Sequence, residues 1–317
     1  MRASISGVTV GIILSTMSAV AAPSKPALVP LASDGHPSLE GMWTSSTATP
    51  LERPADVTSN VLTSDQAAAA EKRAEDFRTH KSFKANEVGH DNEAFLELNL
   101  KVLPSMQSSL IVTPADGKLP LRPEAERARD FNLSNFDSFE RMSPWDRCIT
   151  RGPLGLVPSN YNNGYQIVQT PRYVMIMAEM IHEARVIPLD SGAHADARVR
   201  TWAGDSRGHW EGKTLAVETT NFHDHGWIAT HSGGGRLRGV PHSAELRTVE
   251  RFTRVDAQTI RYEITIEDPQ TFTQPWTIAF PFTRDDGYRI YEYACVEGNS
   301  AVEAILRGAR AQERGGG

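Results

Sequence analysis

The sequence predicts a mainly β protein, an antiparallel barrel or sandwich with a partly helical N-terminal cover and a short C-terminal helix. Three observations predict it. From Tyr165 onward, short runs rich in Val, Ile, Thr, Tyr and Phe recur with turn residues between them. In one run Ile260, Tyr262, Ile264 and Ile266 alternate with Arg261, Glu263, Thr265 and Glu267, the period of a strand with one buried and one wet face. No helix of crossover length separates the runs, so neighbouring strands must be antiparallel.

Taken in order, residues 1–21 read as a secretory signal: Arg2 precedes the apolar run 8–14, and the stretch ends in Ala19-Val20-Ala21. Ser15, Thr16 and Ser18 interrupt the run well short of the roughly 20 apolar residues that a membrane span needs. Residues 22–40, rich in Pro and Ser, read as a flexible linker, 41–141 as a mixed helical and strand cover, and 142–317 as the antiparallel β domain with its terminal helix. Thr63 and Gln66 have the spacing of a capping box, which predicts a helix over 64–80. Residues 109–112 read as a strand leaving through the turn Pro114-Ala115-Asp116-Gly117, and Pro123 suits the first turn of a short helix. Strands are predicted at 165–169, 173–187 (one strand or a pair), 214–220, 245–255, 259–267, 276–282 and 289–295. Glu211-Gly212-Lys213 and Asp285-Asp286-Gly287 supply hairpin turns, and Ser300 with Glu303 caps a terminal helix running to about residue 310.

Composition excludes some functions. With 39% hydrophobic and 23% charged residues the chain is neither disordered nor collagen-like. Its formal charge of −6 repels phosphate backbones, which argues against nucleic-acid binding. In an exported chain the two cysteines, Cys148 and Cys295, are most simply a disulfide; a catalytic thiol needs a histidine partner and protection from oxidation.

Three stretches carry candidate chemistry. Gly204-Asp205-Ser206-Arg207-Gly208 satisfies G-x-S-x-G, but a nucleophilic serine of that kind sits between a strand and a helix, whereas a strand follows here. A glycine-flanked turn explains the motif equally well. His223-Asp224-His225 places two imidazoles two residues apart, where both reach one metal; it lacks any larger metal-binding frame and runs toward glycines, so an exposed loop is the plainer reading. No metal or cofactor is expected. The third stretch is the apolar run 174–187, into which Glu179, His182, Glu183 and Arg185 intrude. Period two sets Glu179, Glu183 and Arg185 on one face and His182 on the other. Pairing of Glu183 with Arg185 at a wet strand end accounts for those two but not for Glu179, flanked by Ala178 and Met180. A buried carboxylate there has the environment of a general base.

The strings YNNGYQIVQTPRYV, EMIHEARVIPLD, GDSRGHWEGKTLAVETTNF and EYACVEGN, with SSLIVTPADGKLP upstream, resemble a large family of uncharacterised exported bacterial proteins. The resemblance spans about residues 41–310 and implies a predominantly β fold similar to calycin-type barrels, with no activity or cofactor attached. Glu179, His182, Arg185, Asp205, Arg207, Trp210, Glu211, Asn221, Glu292, Cys295, Glu297 and Asn299 fall in its recurring strings. This chain departs from the family string C-H-E-G-N by carrying Val296 after Cys295.

These readings combine into an expected periplasmic or extracellular enzyme, cofactor-free, acting on a small and partly apolar molecule as a lyase or isomerase. Glu179 is the expected base and His182 its acid, should a bulge bring it round. Arg185 and Arg207 would steady anionic intermediates, and Asn221, Glu292 and Glu297 are candidate ligand contacts. The alternatives are a non-catalytic carrier barrel, a scaffold whose charges are all paired, and a hydrolase using Ser206.

Overall fold

The alternation that announces the strands is realised along one continuous sheet. The structure is a computed structural model that describes residues 29–79, 100–135, 137–159, 161–190, 192–228, 232–233, 236–237 and 239–315. The signal segment 1–21, the first part of the linker and His80 lie outside the described residues. In chain order come β1 (Gly41–Thr44), α1 (Ser64–Arg78), β2 (Ile111–Thr113), α2 (Pro123–Ser134), β3 (Gly164–Gln169), β4 (Tyr173–Ala178) and β5 (Ala184–Pro188). Then follow β6 (Asp205–Glu211), β7 (Thr214–Thr220), the two-residue strands β8 (Trp227–Ile228), β9 (Ser232–Gly233), β10 (Arg236–Leu237) and β11 (Val240–Pro241), β12 (Arg247–Arg254), β13 (Thr259–Glu267), β14 (Trp276–Arg284) and α3 (Ala301–Gly315).

The main sheet is antiparallel in the order β5-β4-β3-β1-β14-β13-β12-β7-β6, with β2 added to β14 beside β1. It curls until its two ends meet as a nearly closed barrel. No ladder joins β5 to β6 among the described residues; packing closes that seam instead. Gly208 of β6 makes this approach feasible, since a Cβ there would sit 2.8 Å from Leu189 Cδ2 and 2.9 Å from Ile187 Cγ2.

Inside, side chains fill the barrel. Ile260, Tyr262, Ile264 and Ile266 of β13 all point inward, as their alternation predicts, and face Trp276, Ile278, Phe280 and Phe282 of β14. Tyr262 and Tyr165 both stack on Phe282, with ring centroids 5.1 and 5.2 Å away. The barrel end nearest Gln169 and Trp210 is plugged by residues 29–40. Leu39 is fully buried, its N–H donates to Gln169 Oε1 and its carbonyl accepts the Trp43 indole N–H, while His36 stacks on Trp210. The described part of the expected flexible linker is therefore packed structure.

The segment 41–141 differs from a separate cover in one respect: its first residues, β1, are a barrel strand between β3 and β14. The rest is a cover, in which Val57, Leu62, Ala67, Ala70 and Val102 form a second small core around α1. The Thr63 capping box is present, with Thr63 Oγ1 accepting from Gln66 N–H and Gln66 Oε1 from Thr63 N–H. The expected strand at 289–295 does not form. Both edges of β14 are occupied, by β13 on one side and β1 and β2 on the other, so Asp285-Asp286-Gly287 releases an irregular strap instead of a hairpin.

The strap is tied down by the expected disulfide between Cys148 and Cys295, whose Cα atoms are 5.5 Å apart. The bond encloses a 147-residue separation, so Cys148→Ser with Cys295→Ser should lower stability by about 2–5 kcal/mol in urea unfolding.

A second anchor is Asp268, buried beyond the end of β13. Burial pushes its carboxyl up, but the Ser243 N–H and hydroxyl, the Thr271 hydroxyl and the Gln270 N–H outweigh that and hold it below the usual aspartate value of 3.8. With a depressed folded value, its stabilisation is complete above about pH 4 and is lost as pH falls through the folded value. Asp268→Asn should cost about 1–3 kcal/mol at neutral pH and flatten the acid limb of the stability-pH curve.

Candidate functional site

The opposite end of the barrel is the polar one. It is where β4 ends and where β5, β6 and β12 begin, and on β6, β7 and β12 the inward side chains of its topmost layer are hydroxyls. Ser206, Thr219 and Thr248 lie side by side across β6, β7 and β12, all buried. Ser206 Oγ shares its hydrogen bond with Thr219 Oγ1 at 2.9 Å, within strand β6 and away from any helix start. A serine nucleophile needs an imidazole at that distance, and Ser206 has a threonine there.

One level deeper, Glu250 of β12 is fully buried and is held by Arg185 of β5 through two parallel bonds, Nη1 to Oε2 at 2.6 Å and Nη2 to Oε1 at 2.8 Å. The Tyr262 hydroxyl adds a third, to Oε1 at 2.9 Å. Burial and then the Glu250 charge push the Tyr262 phenol well above its ordinary value, so it remains a donor. Burial pulls the Arg185 guanidinium down, but Glu250 more than restores it and keeps it charged. The pair reaches from β5 past β6 and β7 to β12, and so fastens the unpaired seam from within.

Above this pair, the loop 150–157 covers part of the mouth and leaves a cleft. Its walls are Pro153, Leu156, Ile176, Ala178, Ala203 and Phe222 with two glycines, and among the described residues its only charged lining is Glu183 and Arg185. The space is about 40 Å³, room for about two or three waters or a small functional group. Glu183 fixes the cover, for the Thr150 hydroxyl lies 2.8 and 2.9 Å from its two carboxylate oxygens. Tyr165 supports the same loop from below through its hydroxyl and the Leu156 carbonyl, 3.1 Å apart. Arg151 runs beneath the loop, Nη1 donating to Gly155 O and Val157 O and its guanidinium lying over Trp145.

The other expected site residues are dispersed. Glu179 is fully buried but does not line the cleft: the Tyr288 hydroxyl lies 2.7 Å from both of its oxygens, and Tyr291 N–H donates at 3.4 Å. The chain leaves the strand after Ala178, and Ile181 and His182 take left-handed φ values of 62° and 42°. Period two therefore ends at Glu179, and Glu183 and Arg185 re-enter with their own parity. His182 is exposed, with Nδ1 2.8 Å from Tyr293 O. Arg207 lies on the outer face of β6 near Asp205, and Asn221 holds the loop carbonyls of Ala195 and Asp196. Glu292 and Glu297 are exposed on the strap. Sequence reasoning missed Glu250, Tyr262 and Thr150 as parts of this site. Glu250 was detectable, because it shares the inward parity of Thr248 and Phe252.

No family model, no curated protein and no solved structure matches the chain.

Removing one partner of the buried pair should be costly. Arg185→Met leaves the buried Glu250 carboxylate without its cation and should lose about 3–5 kcal/mol. Replacing the trio together, with Arg185→Met, Glu250→Met and Tyr262→Phe, should recover most of that loss in urea unfolding.

Proposed function

We propose that the chain is an exported enzyme that acts on a small, partly apolar molecule by acid-base chemistry at the barrel mouth, as an isomerase or lyase. The observation that carries this reading is the single carboxylate and guanidinium, Glu183 and Arg185, set in an otherwise apolar cleft. Thr150 has one hydroxyl proton for the two Glu183 oxygens, so the carboxylate retains acceptor sites toward the cleft. Glu183, not Glu179, is accordingly the base. It would take a proton from a carbon beside a carbonyl, Arg185 would stabilise the oxyanion that forms, and Glu183 would return the proton to another carbon or to the leaving group. Apolar walls strengthen both interactions by excluding water. Arg185 is suited to the task because Glu250 fixes its position before any ligand arrives. Export is supported by the disulfide and by the resemblance to exported proteins. Among the described residues no helix is long and apolar enough to cross a membrane.

The test uses solvent exchange, which reads proton abstraction whatever product follows. A panel of small ketones, aldehydes and hydroxy acids is incubated with the protein in D2O, and loss of the carbon-bound proton is followed by NMR. At least one compound should exchange. Glu183→Gln, which keeps the bond to Thr150, should slow that exchange about 10²-fold or more with the fold intact. Glu179→Gln should leave the exchange rate of the folded protein unchanged. Binding of a compound without exchange would establish a carrier in place of an enzyme.

A further inference from the structure

Carbon acids activated by an adjacent carbonyl group come in two kinds, neutral ketones and aldehydes on one side and anionic carboxylates on the other. The charges around the cleft discriminate between them. Arg185 is the cation that a carboxylate would seek there, but its charge is already matched. The fully buried Glu250 meets it end-on, with Nη1 and Nη2 donating to separate oxygens at 2.6 and 2.8 Å. A guanidinium held through both terminal nitrogens by one carboxylate presents to a second carboxylate a pair that is neutral overall. Its remaining N–H groups have no acceptor among the described residues, so they are free to donate to an uncharged oxygen.

The other charged lining residue, Glu183, is not matched in this way. Among the described residues it forms no ion pair, and its oxygens receive the neutral Thr150 hydroxyl. Arg151 feels the Glu183 charge, but it does not line the cleft: its Nη1 is taken by Gly155 O and Val157 O, and its guanidinium lies over Trp145. A ligand carboxylate would therefore enter beside one uncompensated like charge with no free cation to offset it. The apolar walls keep the screening of that repulsion weak. A neutral carbonyl compound meets neither obstacle, since its oxygen accepts from Arg185 and its adjacent C–H is offered to Glu183.

We infer that the cleft selects neutral ketones and aldehydes with an apolar body and rejects carboxylates, and that Glu250 sets this choice by neutralising Arg185. The substrate class rests on the acid-base reading of the same cleft. Glu250 touches no ligand and acts through Arg185, as a residue that determines specificity. By matching the cation it removes the long-range pull on anions, yet it leaves a fixed hydrogen-bond donor. That donor gains strength only as the carbonyl oxygen acquires charge in the transition state, where the gain accelerates the reaction.

The experiment measures binding and not turnover. Matched pairs, each a methyl ketone and the carboxylate of the same skeleton, such as butanone and propionate, are titrated into the full chain at neutral pH and followed by saturation-transfer NMR. Each ketone should bind about tenfold or more tightly than its carboxylate. Glu183→Gln, which removes the like charge, should strengthen carboxylate binding about tenfold and leave ketone binding within about threefold. Glu250→Gln, which frees the Arg185 charge and keeps an acceptor for it, should invert the preference. Because Glu250→Gln is a core change that can impair folding, the unaltered chain decides by itself: a carboxylate that binds as tightly as its ketone, or a panel in which neither binds, overturns the selectivity. A folded Glu250→Gln chain that still prefers ketones overturns the part assigned to Glu250, and a Glu183→Gln chain with no gain in carboxylate affinity overturns that of Glu183. A ketone that binds selectively but never exchanges its protons in D2O supports the selectivity while refuting the acid-base role.

Discussion

The mouth of this barrel depends on the ion pair between Arg185 and Glu250. Among the described residues, backbone ladders hold every neighbouring strand of the main sheet except where β5 meets β6, and there the side chains must do the joining. Burying two charges carries a desolvation cost that only close, multiply bonded geometry offsets, and the fork-to-carboxylate contact with the Tyr262 hydroxyl provides it. An apolar trio of the same volume would hold the seam about as well. What it would lack is a fixed guanidinium beside the cleft, and the charge is intelligible on that ground.

From β5 the dependence spreads outward. Glu183 lies two residues before Arg185, so anchoring the strand also places the carboxylate that receives Thr150. Thr150 belongs to the cover, and Cys148, two residues earlier, binds the cover to the strap. The strap returns to the barrel through Tyr288, whose hydroxyl lies 2.7 Å from both oxygens of Glu179. Carboxylates thus fasten the structure on both sides of one sharp turn, the buried Glu179 before it and the half-buried Glu183 after it. The acidic residue that looks most anomalous in the sequence is a fastening for the strap, and its less conspicuous neighbour faces the cleft.

Much of the fold was legible because strand alternation is a local property. The strands predicted at 259–267 and 214–220 have the observed limits of β13 and β7, and the Thr63 capping box marks the start of α1. Failures occurred where a distant part of the chain decides. Residues 289–295 have strand composition, but no free edge of β14 remains for them. The parity argument for Glu179 failed because two left-handed residues follow it, and neither Ile181 nor His182 advertises such a conformation. The cover over the mouth has no periodicity to read, so the cleft itself was invisible, although Glu250 sat at an inward position throughout.

The place of β1 has a consequence for how the chain comes to be folded. This strand, near the start of the described residues, pairs with β3 on one side and with β14 on the other. A ribosome therefore delivers the last barrel strand some 230 residues after the first, and until then β1 has an exposed edge with nothing to satisfy it. Such pairings between distant segments form slowly. A barrel of this topology cannot close while β14 is still to be made. The strand order thus postpones barrel closure until β14 has been made, and the Cys148–Cys295 bond, which needs residue 295, can form only after that.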